Sequence, residues 1–244
     1  MKSVILVVLF FISAVGNDTI NMYTEHYPPY NMSDETGKLK GSSIEVLEAV
    51  LTKIHSKQSI EDVKLRSWAK SYMVAQKKKN AMVFSTTRTD SREKLFKWVG
   101  PIATARVGVI ALKSKHIKIN SVADFNKYKV GAVLKDIGEL LLLDVGVHKN
   151  NIRHVKGEDA INLSFIKMQK NRIDMFAYNL NVAFANAKMQ GFDIDKYEVI
   201  YTLKVGYQYF AFNKDTDDKI IKKWQNALDA IKEDGTYAKI HSKY

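Results

Sequence analysis

The sequence predicts an α/β protein organised as two halves of roughly 100 residues each. Three observations carry this prediction. Short strand patterns alternate with amphipathic helical patterns, the alternation restarts around Ser121, and no low-complexity linker separates the two runs. Two lobes joined by short crossover strands fit these features better than two independent beads. Clefts between such lobes are favoured places for small-ligand sites.

The elements follow in order. Residues 19–24 read as a strand, which Tyr27-Pro28-Pro29-Tyr30 cannot continue because proline has no ladder donor. After Gly41, Ser42 with Glu45 forms a capping-box pattern, and Ile44, Leu47, Leu51 and Ile54 recur at helical spacing. Residues 63–66 predict a strand, 69–79 a helix and 81–85 a buried strand. In the second half, Ser121 caps a short helix at 123–126, 129–134 is a strand, and 138–143 is an apolar helix ended near Gly146. Helices at 159–170 and 182–189 flank a strand at 173–178, and 207–212 is the last strand. Ile220, Ile221, Trp224, Leu228 and Ile231 then place an apolar stripe on a helix stopped by Gly235.

Composition narrows the function. With 244 residues and 46% hydrophobic content the chain buries a sizeable core. Residues 1–16 combine Lys2, an apolar run from Val4 to Ile12, and small Ala14 and Gly16, the pattern of a cleaved export signal too short to span a bilayer. No later stretch reads as a transmembrane helix. With 0 cysteines there are no disulfides and no thiolate ligands. The formal charge of +12 is spread among Asp and Glu, Lys77-Lys78-Lys79 being the one tight basic run. Nucleic acid is not an expected partner, since no recognition motif accompanies the charge. The six histidines lack the helical spacing of a zinc hydrolase, and neither a phosphate loop nor a G-x-S-x-G elbow is present, so no metal or cofactor is expected.

The stretch Met82-Val83-Phe84-Ser85-Thr86-Thr87-Arg88-Thr89-Asp90-Ser91-Arg92-Glu93-Lys94-Leu95-Phe96-Lys97-Trp98-Val99-Gly100-Pro101 resembles the signature segment of family 3 bacterial solute-binding proteins, a group containing histidine- and glutamine-binding proteins. The Tyr27 to Tyr30 loop before Gly41, Lys129-Val130-Gly131, Arg172-Ile173-Asp174, Asp234-Gly235-Thr236 and Lys243-Tyr244 extend the resemblance over nearly the whole mature chain. It implies the type II two-lobe periplasmic-binding-protein fold, crossed near 104–107 and 201–206. Residues 17–105 with 204–244 form one lobe and 106–203 the other. It further implies an exported, periplasmic, monomeric and non-enzymatic protein. Such a protein closes over a small carboxylate-bearing solute, an amino acid or a related compound, and delivers it to an ABC-type permease.

The resemblance also points to site residues. Arg92 matches the arginine that clamps the ligand's carboxylate, and a guanidinium offers paired donors that stay charged. Ser85 and Thr87, two apart in an extended segment, point the same way with hydroxyls toward the same ligand. Arg88 departs from the amino-acid binders and is read as a second anion contact or a lobe-closing salt bridge. Tyr27 and Tyr30 flank two prolines that stiffen an aromatic wall, Tyr30 fitting core packing better, and Trp68 is a further wall. Asp136, Ile137 and Gly138 match the segment that opens a helix and offers backbone amides to the carboxylate. Asn179 falls where classical members carry the aspartate that receives the ligand's ammonium, and asparagine brings no charge. Glu25 is the candidate for the missing negative charge.

Two alternatives stay open. One is a sensory or partner-docking module read in trans by a membrane receptor. The other is an enzyme resembling a periplasmic dehydratase of cyclohexadienyl substrates, with Glu25 or Asp136 as the acid, which requires a raised pKa.

Overall fold

The computed structural model describes residues 19–157 and 159–244. The expected export signal at 1–16 lies outside them. The first half of the chain comprises β1 (Asn21–Thr24), β2 (Met32–Ser33), β3 (Leu39–Lys40), α1 (Ser42–Lys53), β4 (Lys64–Leu65), α2 (Trp68–Lys77), β5 (Ala81–Thr87), α3 (Asp90–Glu93) and β6 (Phe96–Leu112). There follow β7 (Val130–Val133), α4 (Ile137–Asp144), β8 (Ile152–Val155), α5 (Ala160–Gln169), β9 (Met175–Asn179) and α6 (Leu180–Met189). The chain closes with β10 (Tyr197–Asn213), α7 (Asp218–Glu233) and α8 (Thr236–His241).

One eight-stranded sheet, in the order β4-β1-β5-β10-β6-β9-β7-β8, runs through the whole molecule. At one end β1 lies parallel to β4 and β5; at the other β7 lies parallel to β8 and β9. Between them β6 and β10, 17 residues each, pair antiparallel along their length. The crossings expected at 104–107 and 201–206 are strands, longer than the sequence suggests: both stretches lie inside β6 and β10, paired as Thr104 with Tyr207 and Arg106 with Val205. Branched and aromatic residues such as Val107, Val109, Val199 and Tyr201 suit a continuous ladder. Three register shifts, at Val199/Tyr201, Thr202/Lys204 and Gln208/Phe210, let β10 bend as it passes from one lobe to the other.

Separate cores sit on the two ends of the sheet. Met22, Leu47, Phe84, Phe210 and Phe212 pack with Trp224 and Leu228 of α7, the stripe legible in the sequence. Phe165, Phe176, Val182 and Ala183 form the principal core of the other lobe, and Phe125, Ala132 and Leu142 fill its opposite face.

Two caps differ from each other. The expected Ser42 box does not form: Gly41 is the N-cap of α1, at φ 119°, and Ser42 and Ser43 are buried inside the helix. A Cβ at Gly41 would run into the Tyr30 carbonyl, so glycine is what allows the Tyr27–Tyr30 loop to lie against the helix start. Ser121 does form a capping box, with Asp124, on the 3-10 turn Val122–Lys127. No helix among the described residues is long and apolar enough to cross a membrane.

Candidate ligand-binding cleft

The C-terminal ends of the parallel strands on both lobes face one another, the position where open α/β sheets bind ligands. Glu25 follows β1, Thr87 ends β5, Asp136 follows β7 and Asn179 ends β9. A cavity of 240 Å³ opens here. Glu25, His26, Ser67, Trp68 and Ala69 line it from one lobe, and Val133, Leu134, Val155, Lys156, Gly157, Ala160, Ile161 and Tyr178 from the other.

The lobes are closed over it. Trp68 donates through Nε1 to the Lys135 carbonyl at 2.8 Å, and Asn181 donates to the Tyr30 hydroxyl at 3.1 Å. Tyr27 and Tyr178 meet edge to face at 5.8 Å.

Arg92 is 2% exposed. Trp68 and Tyr72, one turn apart on α2, place their ring centroids 5.1 Å each from its guanidinium carbon. Arg92 donates to the Thr87 carbonyl at 3.2 Å. No carboxylate among the described residues comes within ion-pair distance of it. A buried guanidinium with donors to spare has the chemistry to hold an anion.

Two acids share this environment, one from each lobe. Burial pushes the Glu25 carboxyl well above the usual range, the charge of Asp136 adds to this, and Arg92 eases it. Asp136, 3% exposed, is raised to about 6 by burial against the easing effect of Arg92 and the Ile137 amide. Gly138 explains how Asp136 reaches this place. A Cβ there would strike the Ala177 carbonyl, so only glycine lets the start of α4 pack against β9.

Of the sequence-predicted residues, Glu25 and Trp68 line the cavity, Arg92 and Asp136 lie buried within charge interaction of Glu25, and Asn179 ends β9 without lining it. Glu25 is on the cavity wall rather than in a solvent-facing loop. The others stand differently. Ser85 has φ 57°, which breaks the strand alternation assumed for it and Thr87, and its hydroxyl donates to Asn31. Thr87 is buried and serves Arg92 through its carbonyl. Arg88 neither joins the cleft nor bridges the lobes. It pairs bidentately with Glu93 at 2.5 and 2.7 Å and lies over Trp98 and Tyr209 of its own lobe. Tyr27 packs between Tyr30 and Tyr178 in the core and is not on the cavity wall. Tyr30 donates to the Thr104 carbonyl. The Ile137 amide is already taken by the Asp136 side chain at 2.6 Å, so it is not free for an anion.

Sequence reasoning missed Tyr72, Tyr178 and the apolar second-lobe wall. Tyr72 was open to discovery as the helical neighbour of Trp68 at i+4, and Tyr178 as the residue before Asn179 at a strand end.

Known proteins agree with this geometry. The family model for bacterial extracellular solute-binding proteins, family 3, matches residues 20–244. A probable amino-acid-binding protein of Bacillus subtilis, YxeM, is 28% identical over 222 residues, covering 86% of this chain and 77% of the relative. The L-cystine-binding protein TcyA of the same organism is 25% identical over 219 residues, covering 89% and 77%. An ancestral arginine-binding protein bound to arginine superposes with a TM-score of 0.75 at 25% identity, over 93% of this chain and 98% of its own. A Streptococcus pneumoniae substrate-binding protein of an ABC uptake transporter, with bound histidine, gives 0.77 at 18% identity over 93% and 92%. With the two-lobe fold, the closed cleft and a match from residue 20 to the last residue, the chain belongs to family 3 of the bacterial extracellular solute-binding proteins.

Proposed function

We propose that this protein captures a small amino-acid solute outside the cytoplasm by closing its lobes, with Arg92 taking the solute's carboxylate, and delivers it to an ABC-type permease as a monomer. One lobe comprises residues 17–105 and 204–244, the other 106–203, with the paired stretch of β6 and β10 between them as hinge. The observation that carries the reading is Arg92, buried between Trp68 and Tyr72 at the cleft without a carboxylate partner. The second-lobe wall, apolar apart from Lys156, accepts a side chain of modest size.

The test is a thermal-shift screen of the protein against the twenty L-amino acids and L-cystine, repeated with Arg92→Ala. A ligand at about 1,000 times its Kd adds roughly 4 kcal/mol and raises the midpoint clearly. The variant should lose about 2 to 5 kcal/mol of binding. No shift with any of these compounds sinks the reading.

One observation favours a second reading, a dehydratase acting on cyclohexadienyl acids. Glu25 and Asp136 both carry the raised pKa that an acid catalyst near neutral pH requires. Turnover of such an acid, lost in Glu25→Gln or Asp136→Asn, would replace the binding reading; binding without turnover keeps it.

A further inference from the structure

We propose that the solute's ammonium group is received by Asp136, with Glu25 facing it from the opposite lobe, and not by Asn179. The inference rests on the amino-acid reading above and names the specificity-determining residue of that site.

Asn179 brings no charge to a cation, and its acceptor is already engaged. Its Oδ1 accepts from the Val182 amide at 3.2 Å, capping α6, and the group that remains without a partner is Nδ2, a donor. A free N–H at this point offers no lone pair to an ammonium.

Asp136 is complementary in every respect. Its Oδ1 accepts from the Ile137 amide and caps α4. Its Oδ2 is buried and no hydrogen bond of good geometry reaches it, the Tyr178 phenol beside it being the one neighbouring donor. A buried carboxylate oxygen without a donor is costly, and the cost disappears when a cationic donor reaches it. The residue stands beside β9 because Gly138 packs against Ala177, two residues before Asn179. The negative charge has therefore moved from the end of β9 to the start of the helix after β7, its neighbour in the sheet.

Glu25 adds a second carboxylate from the other lobe. It lines the cavity and interacts with Asp136 through like charge. Like charges brought together by closure oppose it; Arg92 offsets part of that repulsion, and the solute's ammonium offsets more. The closed lobes leave no open surface at Asp136 Oδ2, so the donor must enter while the lobes are apart.

The test is isothermal titration calorimetry with the twenty L-amino acids and L-cystine on the wild type, Asp136→Asn, Glu25→Gln and Asn179→Ala. The tightest amino acid is then compared with its desamino carboxylic acid. Asparagine caps helices as well as aspartate does, so Asp136→Asn keeps the start of α4; circular dichroism confirms the fold. Asp136→Asn should weaken the amino acid at least a hundredfold and the desamino acid less than threefold, and Glu25→Gln should weaken the amino acid about tenfold. Three results overturn the proposal: Asp136→Asn within threefold of wild type, equal losses for the amino acid and its desamino acid, or a larger loss from Asn179→Ala than from Asp136→Asn. An unchanged Glu25→Gln removes Glu25 from the seat. If no probe binds the wild type, the amino-acid reading itself has failed, a result distinct from these.

Discussion

The indole Nε1 of Trp68 donates across the cleft to the carbonyl of Lys135 at 2.8 Å, while the face of the same ring covers Arg92. One side chain thus joins the buried guanidinium of the first lobe to the backbone of the second. Lys135 itself sits at φ 62°, in the turn between β7 and α4, where Glu139 accepts from its amide and His154 contacts Glu139 at 2.6 Å. The acceptor of the latch is held in place by its own lobe.

Trp68→Phe keeps an aromatic face over Arg92 and removes the donor. Losing one net hydrogen bond costs about 1 kcal/mol. Ligand affinity should fall roughly fivefold, chiefly through faster dissociation. Calorimetry with stopped-flow dissociation checks this; a change confined to the association rate would count against a closure latch.

Acid should close the empty protein. Burial in the closed form raises the carboxyls of Glu25 and Asp136, the latter to about 6. The closed form then binds protons more tightly than an open form in which water reaches both groups. Closure of the empty cleft is favoured as pH falls through about 6 and opposed above it. Small-angle scattering of ligand-free protein should show a smaller radius of gyration at pH 5 than at pH 7.5. The difference should vanish in Glu25→Gln/Asp136→Asn.

Gly138→Ala tests the packing that places Asp136. The added Cβ meets the Ala177 carbonyl of β9, which cannot swing aside as a flexible side chain would. A loss of about 1 to 3 kcal/mol is expected, as for overpacked cores, read from the urea midpoint, with weaker ligand binding alongside.

Asn179→Ala removes the acceptor that caps α6. Stability should fall by about 1 kcal/mol, while affinity for the best amino acid falls far less than in Asp136→Asn. Thermal unfolding and calorimetry on the same preparations separate the two effects.

Much of the fold was legible because its signals are local. The α7 stripe of Ile220, Trp224, Leu228 and Ile231 is spaced so that a single buried face follows from the helical repeat. The segment around Arg92 identified the family before any contact was known. The length of β10 was not legible. Lys204 and Gly206 interrupt its apolar alternation, and Val205 and Tyr207 remain 70% and 53% exposed where the strand passes between lobes. Only pairing with β6 makes that stretch a strand.

The site divided in the same way. The residue types alone pointed to a guanidinium, an aromatic loop and an unusual asparagine, in three separate segments, because charge and ring chemistry travel with the side chain. Tertiary structure decided which of them keep hydrogen-bonding capacity to spare. Burial orphaned the Oδ2 of Asp136, committed the Oδ1 of Asn179 to a helix cap, and turned Arg88 onto Glu93. A side chain's remaining hydrogen-bond capacity is a balance among all its neighbours, and those neighbours come from strands far apart in sequence. Spacing along the chain carries no record of that balance.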